Sequence, residues 1–359
     1  MSIKFYPLTV REVRRETPDT VSVAFEVPTD LAEKFRFTQG QYLTLRTEIN
    51  GEDVRRSYSL CTAPHENDLR VAIKKVDGGV FSTFANEHLR AGDVLQVMPP
   101  QGRFFTPLAA ENENLYVAFA AGSGITPVMS ILKTVLDEEP RSRFVLFFGN
   151  RGFDHIIFRE QLELLKNQHP ARLAVHHVLS RESLGSDLFH GRLDGAKCRS
   201  YAGRLFNPAD VDAFFLCGPE EMIFDIRDTL TAQGVAPQRV HFELFTTAGT
   251  VAKKAASAAS AQAKTSFEAT VTVVQDGTRF DFILPSDGSM LLDAAMRAGA
   301  DLPFSCKGGV CCTCKAKVLE GAVEMDVCYG LEPDELAAGY VLTCQAHPKS
   351  ERLVVSFDE

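Results

Sequence analysis

Four cysteines raise the first chemical question. Cys306-Lys-Gly-Gly-Val-Cys311-Cys-Thr-Cys314, with Cys344 further on, has the C-x4-C-x2-C…C spacing that ligates a [2Fe–2S] cluster. Four thiolates must converge on two irons, so the loop backbone has to wrap closely. Gly308 and Gly309 permit this because they lack a Cβ. The competing reading is structural zinc, which draws its cysteines as CxxC pairs, and Cys344 has no such partner. Cys312 falls between the ligand positions Cys311 and Cys314, and Cys328 stands apart, so neither is assigned to the cluster.

Arg56-Ser-Tyr58-Ser59 puts a cation, an aromatic face and a hydroxyl within four residues. A flavin uses all three: Arg56 to pair with a pyrophosphate, Tyr58 to pack on the isoalloxazine, Ser59 to bond near N5. A barrel strand ending in a polar turn would read the same way. Gly78-Gly79-Val-Phe-Ser82 shifts the balance, because it opens a helical stretch, Ser82–His88, whose unpaired N–H groups suit the pyrophosphate of FAD.

A third set suits a nicotinamide dinucleotide. Gly122-Ser-Gly124-Ile-Thr126-Pro127 stands between an apolar strand and a helix expected to start near Pro127, where glycines let the backbone approach a phosphate. The strict G-x-G-x-x-G fingerprint is not met, since Pro127 takes the last position. Cys217-Gly218-Pro219 lies at the carboxyl end of another apolar strand, where open α/β sheets bind ligands; a buried core cysteine is the plainer alternative. Ser180-Arg181, with Arg192 a dozen residues on, offers charge for a 2′-phosphate, which favours NADPH over NADH.

These motifs need three kinds of scaffold. Up to about residue 106 short alternating runs such as Val21–Val27, Gln41–Thr47 and Leu69–Val76 suggest an antiparallel β-barrel holding FAD. From 107 to 245 apolar strands alternate with amphipathic helices, as in Leu115–Ala120 followed by Val128–Leu136, and imply an α/β domain with a parallel sheet. Residues 246–265 include eight alanines and read as a linker, spanning roughly 25 Å as a flexible coil. Residues 266–359 begin as strand, Asp276–Gly277 turn and strand. A helix follows, capped by Ser289 and ended by Gly299, so this is a small α+β module of β-grasp type.

Composition narrows the setting. Nine cysteines, an odd number with four crowded into Cys306–Cys314, suit metal binding in a reducing compartment better than disulfides. The N-terminus has no signal-peptide pattern and the one membrane-like run, Leu115–Leu132, is broken by Gly122, Gly124 and Pro127, so a cytoplasmic protein without membrane contact is expected. The net charge of −9 argues against nucleic acid as a partner. Residues 266–359 hold 7 Lys+Arg against 15 Asp+Glu, so nearly all the excess sits on the last module. Glu324, Asp326, Glu332, Asp334 and Glu335 lie between Cys314 and Cys344, where they are candidates for steering a basic partner.

Residues 1–245 resemble the ferredoxin–NADP reductase family and residues 266–359 resemble plant-type ferredoxins, on the RSYSL, GSGITP, LSRE, CGP and SCKGGVCCTCKAKV strings. The resemblance implies FAD held at Arg56, Tyr58, Ser59, Gly79 and Ser82. It implies a nucleotide site at Gly122, Thr126, Cys217, Gly218 and Pro219, with Cys217 facing the nicotinamide C4. It also implies a carboxylate and an aromatic closing near the flavin, matched by Glu243 and Phe245 in His-Phe-Glu-Leu-Phe. Plant members end at a stacking Tyr, whereas Phe245 here runs on into the linker.

The expected function is electron transfer from NADPH (or NADH) through FAD and the [2Fe–2S] cluster to an external oxygenase component. Nicotinamide releases a hydride while the cluster accepts single electrons, and a flavin handles both. The leading acceptor is a di-iron oxygenase acting on an aromatic acyl-CoA thioester. Alternatives are a ring-hydroxylating dioxygenase or a hybrid-cluster protein as acceptor, or, from another class, an iron–sulfur redox sensor on a degenerate flavoprotein scaffold.

Overall fold

The computed structural model describes residues 4–183, 185–245 and 266–359; the expected linker at 246–265 lies outside them. The first sheet contains β1 (Tyr6–Thr17), β2 (Thr20–Glu26), β3 (Tyr42–Ile49), β4 (Glu52–Ser59), β5 (Leu69–Lys74) and β6 (Val94–Val97), in the order β4-β3-β6-β1-β2-β5. Its two ends meet through an antiparallel bridge between Leu60 and Val71, which closes the barrel. Closure removes the exposed strand edges that an open sheet would leave. Leu8, Val10, Val23, Leu43 and Ile73 fill the interior, and α1 (Val80–Glu87) adds Phe81 and Ala85 to the same core.

A second sheet carries β7 (Leu115–Ala121), β8 (Arg143–Asn150), β9 (Leu173–Leu179), β10 (Ala213–Gly218) and β11 (Val240–Leu244). All pairs are parallel and the order is β11-β10-β7-β8-β9. Between them run α2 (Ile125–Glu138), α3 (Arg159–Gln168), α4 (Gly195–Tyr201) and α5 (Glu220–Ala232). Helices on both faces explain why β7 and β10 are almost wholly apolar. Strand order reverses at β7, so a crevice opens at the carboxyl ends of β7 and β10.

Helix α2 starts at Ile125, two residues before the expected start, and Pro127 is its third residue. Proline is tolerated there because the first four helical N–H groups have no intrahelical acceptor. The same helix fastens the sheet to the barrel: Ser130 Oγ donates to the Thr62 carbonyl at 2.6 Å and accepts from the Gly40 N–H at 3.4 Å. At its end the fully buried Glu139 accepts from Ala109 N, Asn112 Nδ2, Tyr116 OH and Ser142 Oγ. Those donors satisfy a carboxylate that would otherwise be costly to bury, and they hold the connector between barrel and sheet.

The C-terminal unit has β12 (Glu268–Gln275), β13 (Thr278–Pro285), β14 (Lys315–Glu320), β15 (Val323–Met325), β16 (Tyr340–Leu342), β17 (Ala346–Pro348) and β18 (Arg352–Ser356). Five strands form a mixed sheet in the order β13-β12-β18-β14-β16, with β12 and β18 parallel, and β15 pairs with β17. Helix α6 (Leu291–Arg297) buries Leu291, Leu292 and Ala295 in the core of this β-grasp unit, and a short α7 (Pro333–Ala337) precedes β16. Asp276 and Gly277 both have positive φ (50° and 72°), as a two-residue hairpin turn between Gln275 and Thr278 requires. Ser289 does not cap α6: the N-cap is Met290, and the Ser289 hydroxyl accepts from Arg297 Nη2 instead.

Candidate functional site

A hydrogen bond joins the end of the barrel strand β4 to the edge strand β11 of the nucleotide sheet. Ser59, the last residue of β4, donates from Oγ to Glu243 Oε2 at 2.9 Å. Glu243 on β11 pairs in register with Cys217 on β10, so Ser59, Glu243 and Cys217 form one group although they are far apart in sequence. Burial pushes the Glu243 carboxyl up to about 7, with the Ser59 hydrogen bond pulling the other way. Cys217 is fully buried, and burial together with the Glu243 charge pushes its thiol well up. It is therefore a neutral thiol rather than a nucleophile.

Next to Ser59, Tyr58 packs its ring on Phe81 at 5.5 Å between centroids. Arg56, on the same strand, is exposed and donates to the Arg55 carbonyl at 2.7 Å. Gly78 has φ +70° and Gly79 is the N-cap of α1. A Cβ on Gly79 would lie 2.5 Å from Ser82 Oγ. Ser82 is buried: its Oγ accepts from Val76 N–H and donates to the Gly79 carbonyl, which fastens the turn and leaves the helix start open to an anion.

The two glycines after β7 differ in purpose. Gly122 has φ +54° and faces open space apart from Lys74 Nζ, 3.8 Å from where a Cβ would stand. Gly124 has ordinary dihedrals, but a Cβ there would sit 2.0 Å from the Cys217 carbonyl oxygen, so its role is to let the β7 loop pack on the end of β10. Gly218 completes that contact, with a would-be Cβ 2.6 Å from Met222 Cε, and Pro219 is the exposed N-cap of α5. Thr126 is buried and donates to the Ser123 carbonyl, shaping the turn. Lys74 escaped sequence reasoning because nothing local marks it; it reaches the loop only through the fold.

Ser180 and Arg181 continue β9, their N–H groups donating to Asn150 and Arg151 carbonyls at 2.9 Å. A bridge between Leu179 and His190 brings the following turn back alongside, so Arg192 stands near this same strand end. Arg181 and Arg192 are exposed. Phe245, also exposed, is the last described residue before position 266.

In the C-terminal unit the four cysteines fall into two pairs. The Cys306 N–H donates to Cys311 Sγ at 3.4 Å, and Gly308 N–H donates to Cys306 Sγ at 3.3 Å. Hydrogen bonding with Cys311 holds the Cys306 thiol down to about 6 and pushes Cys311 well up, while Cys314 is pushed up by pairing with Cys344 and by burial. Among the described residues no group of three or more His, Cys, Asp or Glu closes around a single metal ion. Two pairs fit a two-iron cluster, whose irons each take two thiolates, better than a zinc that needs four around one point. The wrap depends on Lys307, Gly309 and Cys312 at positive φ rather than on Gly308, and a Cβ on Gly309 would meet the Val327 carbonyl at 2.9 Å. Cys312 turns its Sγ to the Gly330 carbonyl. Gln345, missed in the sequence, is buried and donates to the Lys307 carbonyl at 3.0 Å, bracing the loop.

Comparison with known proteins agrees with this arrangement. Residues 7–106 match the oxidoreductase FAD-binding domain, 119–228 the oxidoreductase NAD-binding domain, and 273–349 the 2Fe-2S iron-sulfur cluster binding domain. Fold and domain content thus define a modular oxidoreductase that uses FAD, a nicotinamide nucleotide and a [2Fe–2S] cluster. The chain is 47% identical to one of the subunits of the 1,2-phenylacetyl-CoA epoxidase of Escherichia coli (strain K12), covering 99% of this chain and 98% of that one. It is 35% identical to the ferredoxin reductase component of 3-ketosteroid-9-alpha-monooxygenase of Rhodococcus rhodochrous, covering 98% and 96%. Phthalate dioxygenase reductase, solved as a modular structure for electron transfer from pyridine nucleotides to [2Fe–2S], shares the fold with a TM-score of 0.58 at 22% identity, covering 98% of each chain. The chain belongs to this family of oxygenase reductase components: ferredoxin–NADP reductase-like flavoproteins with a C-terminal plant-type ferredoxin domain. No helix among the described residues is long and apolar enough to cross a membrane.

Proposed function

We propose that this chain is the NADPH-dependent reductase component of a phenylacetyl-CoA ring epoxidase, delivering electrons to a di-iron oxygenase that acts on an aromatic acyl-CoA thioester. Identity of 47% across 99% of the chain supports that acceptor. The observation that carries the chemistry is the Ser59–Glu243 hydrogen bond beside Cys217, which draws groups from barrel and sheet to one point. When bound, the flavin takes up a hydride and gives electrons singly to the iron–sulfur centre.

The division of labour follows from each side chain's surroundings. Tyr58, backed by Phe81, offers a ring face to the isoalloxazine, and Ser59 keeps a hydroxyl oriented by Glu243 near its N5. Glu243, titrating near neutrality, holds or releases a proton at that hydroxyl. Cys217 provides a close-packed, uncharged floor for the nicotinamide. Gly79 and the start of α1, with Arg56, bind the FAD pyrophosphate. The Gly122–Thr126 turn with Lys74 binds the dinucleotide phosphates, and Ser180, Arg181 and Arg192 take the 2′-phosphate. Cys306 and Cys311 hold one iron, Cys314 and Cys344 the other. In the proposed division, residues 1–106 carry most of the FAD contacts, 107–245 most of the nicotinamide-dinucleotide contacts and 266–359 the cluster, with 246–265 between them, while Lys74 and Glu243 each serve the neighbouring domain's ligand.

Anaerobic purification with iron, acid-labile sulfide and flavin quantification tests the cofactor set, with one FAD and one [2Fe–2S] cluster per chain expected. Zinc without sulfide overturns it. NADPH-driven cytochrome c reduction separates a reductase from a sensor. Epoxidation of phenylacetyl-CoA by an oxygenase captured from the native host tests the acceptor, and capture of a ring-hydroxylating dioxygenase instead would reassign it.

A further inference from the structure

The Asn150 side chain stands apart from the contacts that build the site. Asn150 is the last residue of β8, only 8% exposed, and neither Oδ1 nor Nδ2 of its amide has a hydrogen-bond partner in the protein. Its backbone, by contrast, is engaged: the Asn150 carbonyl accepts from Ser180 N–H at 2.9 Å. A buried amide left unmatched is costly, and such groups in native proteins call for an explanation.

The fold says where this amide points. A Cβ on Gly149 would lie 3.1 Å from Leu193 Cδ1, so Gly149 faces Leu193 and the alternation of a strand turns Asn150 to the opposite face. Phe148 shares that face and packs in one cluster with Ile125 and Val128 of α2. Ala121 is in register with Gly149, so Asn150 stands level with Gly122, where the turn leads into α2. On its other side are Ser180 and the start of the Arg181–Arg192 edge.

In topology, β7, its glycine turn, α2 and β8 form the first βαβ unit of a doubly wound sheet. The end of the second strand in such a unit is where a dinucleotide fold contacts the ribose of the adenosine half, commonly with a carboxylate. A carboxylate accepts from a 2′-hydroxyl but repels a 2′-phosphate. An amide both donates and accepts and carries no charge.

We propose that the Asn150 amide hydrogen-bonds the adenosine ribose of the nicotinamide dinucleotide, and that its neutrality at this strand end admits a 2′-phosphorylated ribose. This rests on the nicotinamide site proposed above. The ribose supplies the hydrogen-bond partners that the protein itself does not give this amide, which makes Asn150 a binding residue for the co-substrate.

The test uses FAD- and cluster-loaded protein. Calorimetric Kd values for NADP+, NAD+ and 2′,5′-ADP, which carries only the adenosine half, are combined with thermal midpoints measured without dinucleotide. Asn150→Leu should weaken all three ligands by roughly tenfold, as losing a buried hydrogen bond does, while the midpoint holds or rises because an unmatched amide has gone. Asn150→Asp should weaken NADP+ and 2′,5′-ADP more than NAD+. Unchanged Kd values in both variants, or an Asn150→Leu midpoint that falls while binding is retained, would make Asn150 a structural residue and overturn the proposal. Arg181→Ala serves as the control: if it too leaves NADP+ binding unchanged, the nicotinamide site itself has been misread, whereas weakened NADP+ binding there with normal Asn150 variants sinks this inference alone.

Discussion

Replacing Glu243 with Gln should flatten the pH dependence of stability in the flavin–nucleotide half of the molecule. In the folded protein this carboxyl titrates at about 7, raised from 4.5 mainly by burial. One pKa unit corresponds to about 1.4 kcal/mol, so a fully ionised Glu243 costs folding about 3 kcal/mol relative to its protonated form. Because the folded state holds the proton more tightly, the stabilisation is fully present below about pH 4.5. It is lost as pH rises through about 7. Glu243 is half-buried as a residue, so solvent screening makes this figure a ceiling. For a folding unit of this size it corresponds to roughly 6–12 °C in thermal midpoint. FAD release followed by fluorescence during heating, from pH 5 to 8.5 at constant ionic strength, measures it. The wild-type midpoint should fall across that range more than that of Glu243→Gln. Ser59→Ala removes a donor that favours the carboxylate, so it should move the loss to higher pH. Parallel wild-type and Glu243→Gln profiles would refute the reasoning.

The remaining predictions address the other sites. Arg181→Ala should lower kcat/KM for NADPH roughly ten- to a hundredfold with a much smaller effect on NADH, since a charged hydrogen bond to phosphate is worth about 1.5–3 kcal/mol; equal losses would show that Arg181 does not read the phosphate. Gly124→Ala places a Cβ 2.0 Å from the Cys217 carbonyl oxygen and should destabilise the nucleotide domain by about 1–3 kcal/mol, read as a lower thermal midpoint and slower flavin reduction by NADPH. An unchanged midpoint would contradict the packing role given to that glycine. If the acidic C-terminal unit steers its partner, acceptor reduction at limiting oxygenase should slow between low and moderate salt, where the Debye length shrinks to about 8 Å, and Glu332→Gln/Asp334→Asn should flatten that dependence. Matching salt profiles would leave these carboxylates as solubilising surface.

How much of this was legible in the sequence depended on whether the signal was local. The cysteine loop could be read directly because Cys306, Cys311 and Cys314 lie in one short loop at a spacing that few other sites use, and Asp276–Gly277 could be read because a two-residue hairpin turn needs positive φ at both positions. Strands alternating with helices announced the parallel sheet. Ser59 and Glu243 are 184 positions apart, and no spacing rule joins them; only family resemblance put both near the flavin, and only the fold brought them to 2.9 Å. Lys74 and Asn150 were invisible for the same reason, since each gains meaning from a neighbour on another strand. Ser289 failed as a cap because Arg297, one helix length away, competes for its hydroxyl.

Charge counting met the same limit. The surplus of acid in residues 266–359 is real, but four of the six carboxylates between Cys314 and Cys344 have partners within the unit: Glu320 with Arg352, Glu324 with Lys349, Asp326 with His347, and Glu335 with Lys315. Glu335 is also buried, and its Oε2 accepts from the Glu332 N–H at the start of α7, so neutralising it would disturb the fold near the cluster rather than probe a docking field. Glu332 and Asp334 are exposed, and that is why the salt experiment should change these two and leave Glu335 alone. A net charge sums over residues regardless of partners, whereas a steering field at a surface depends on which of those charges remain uncompensated there.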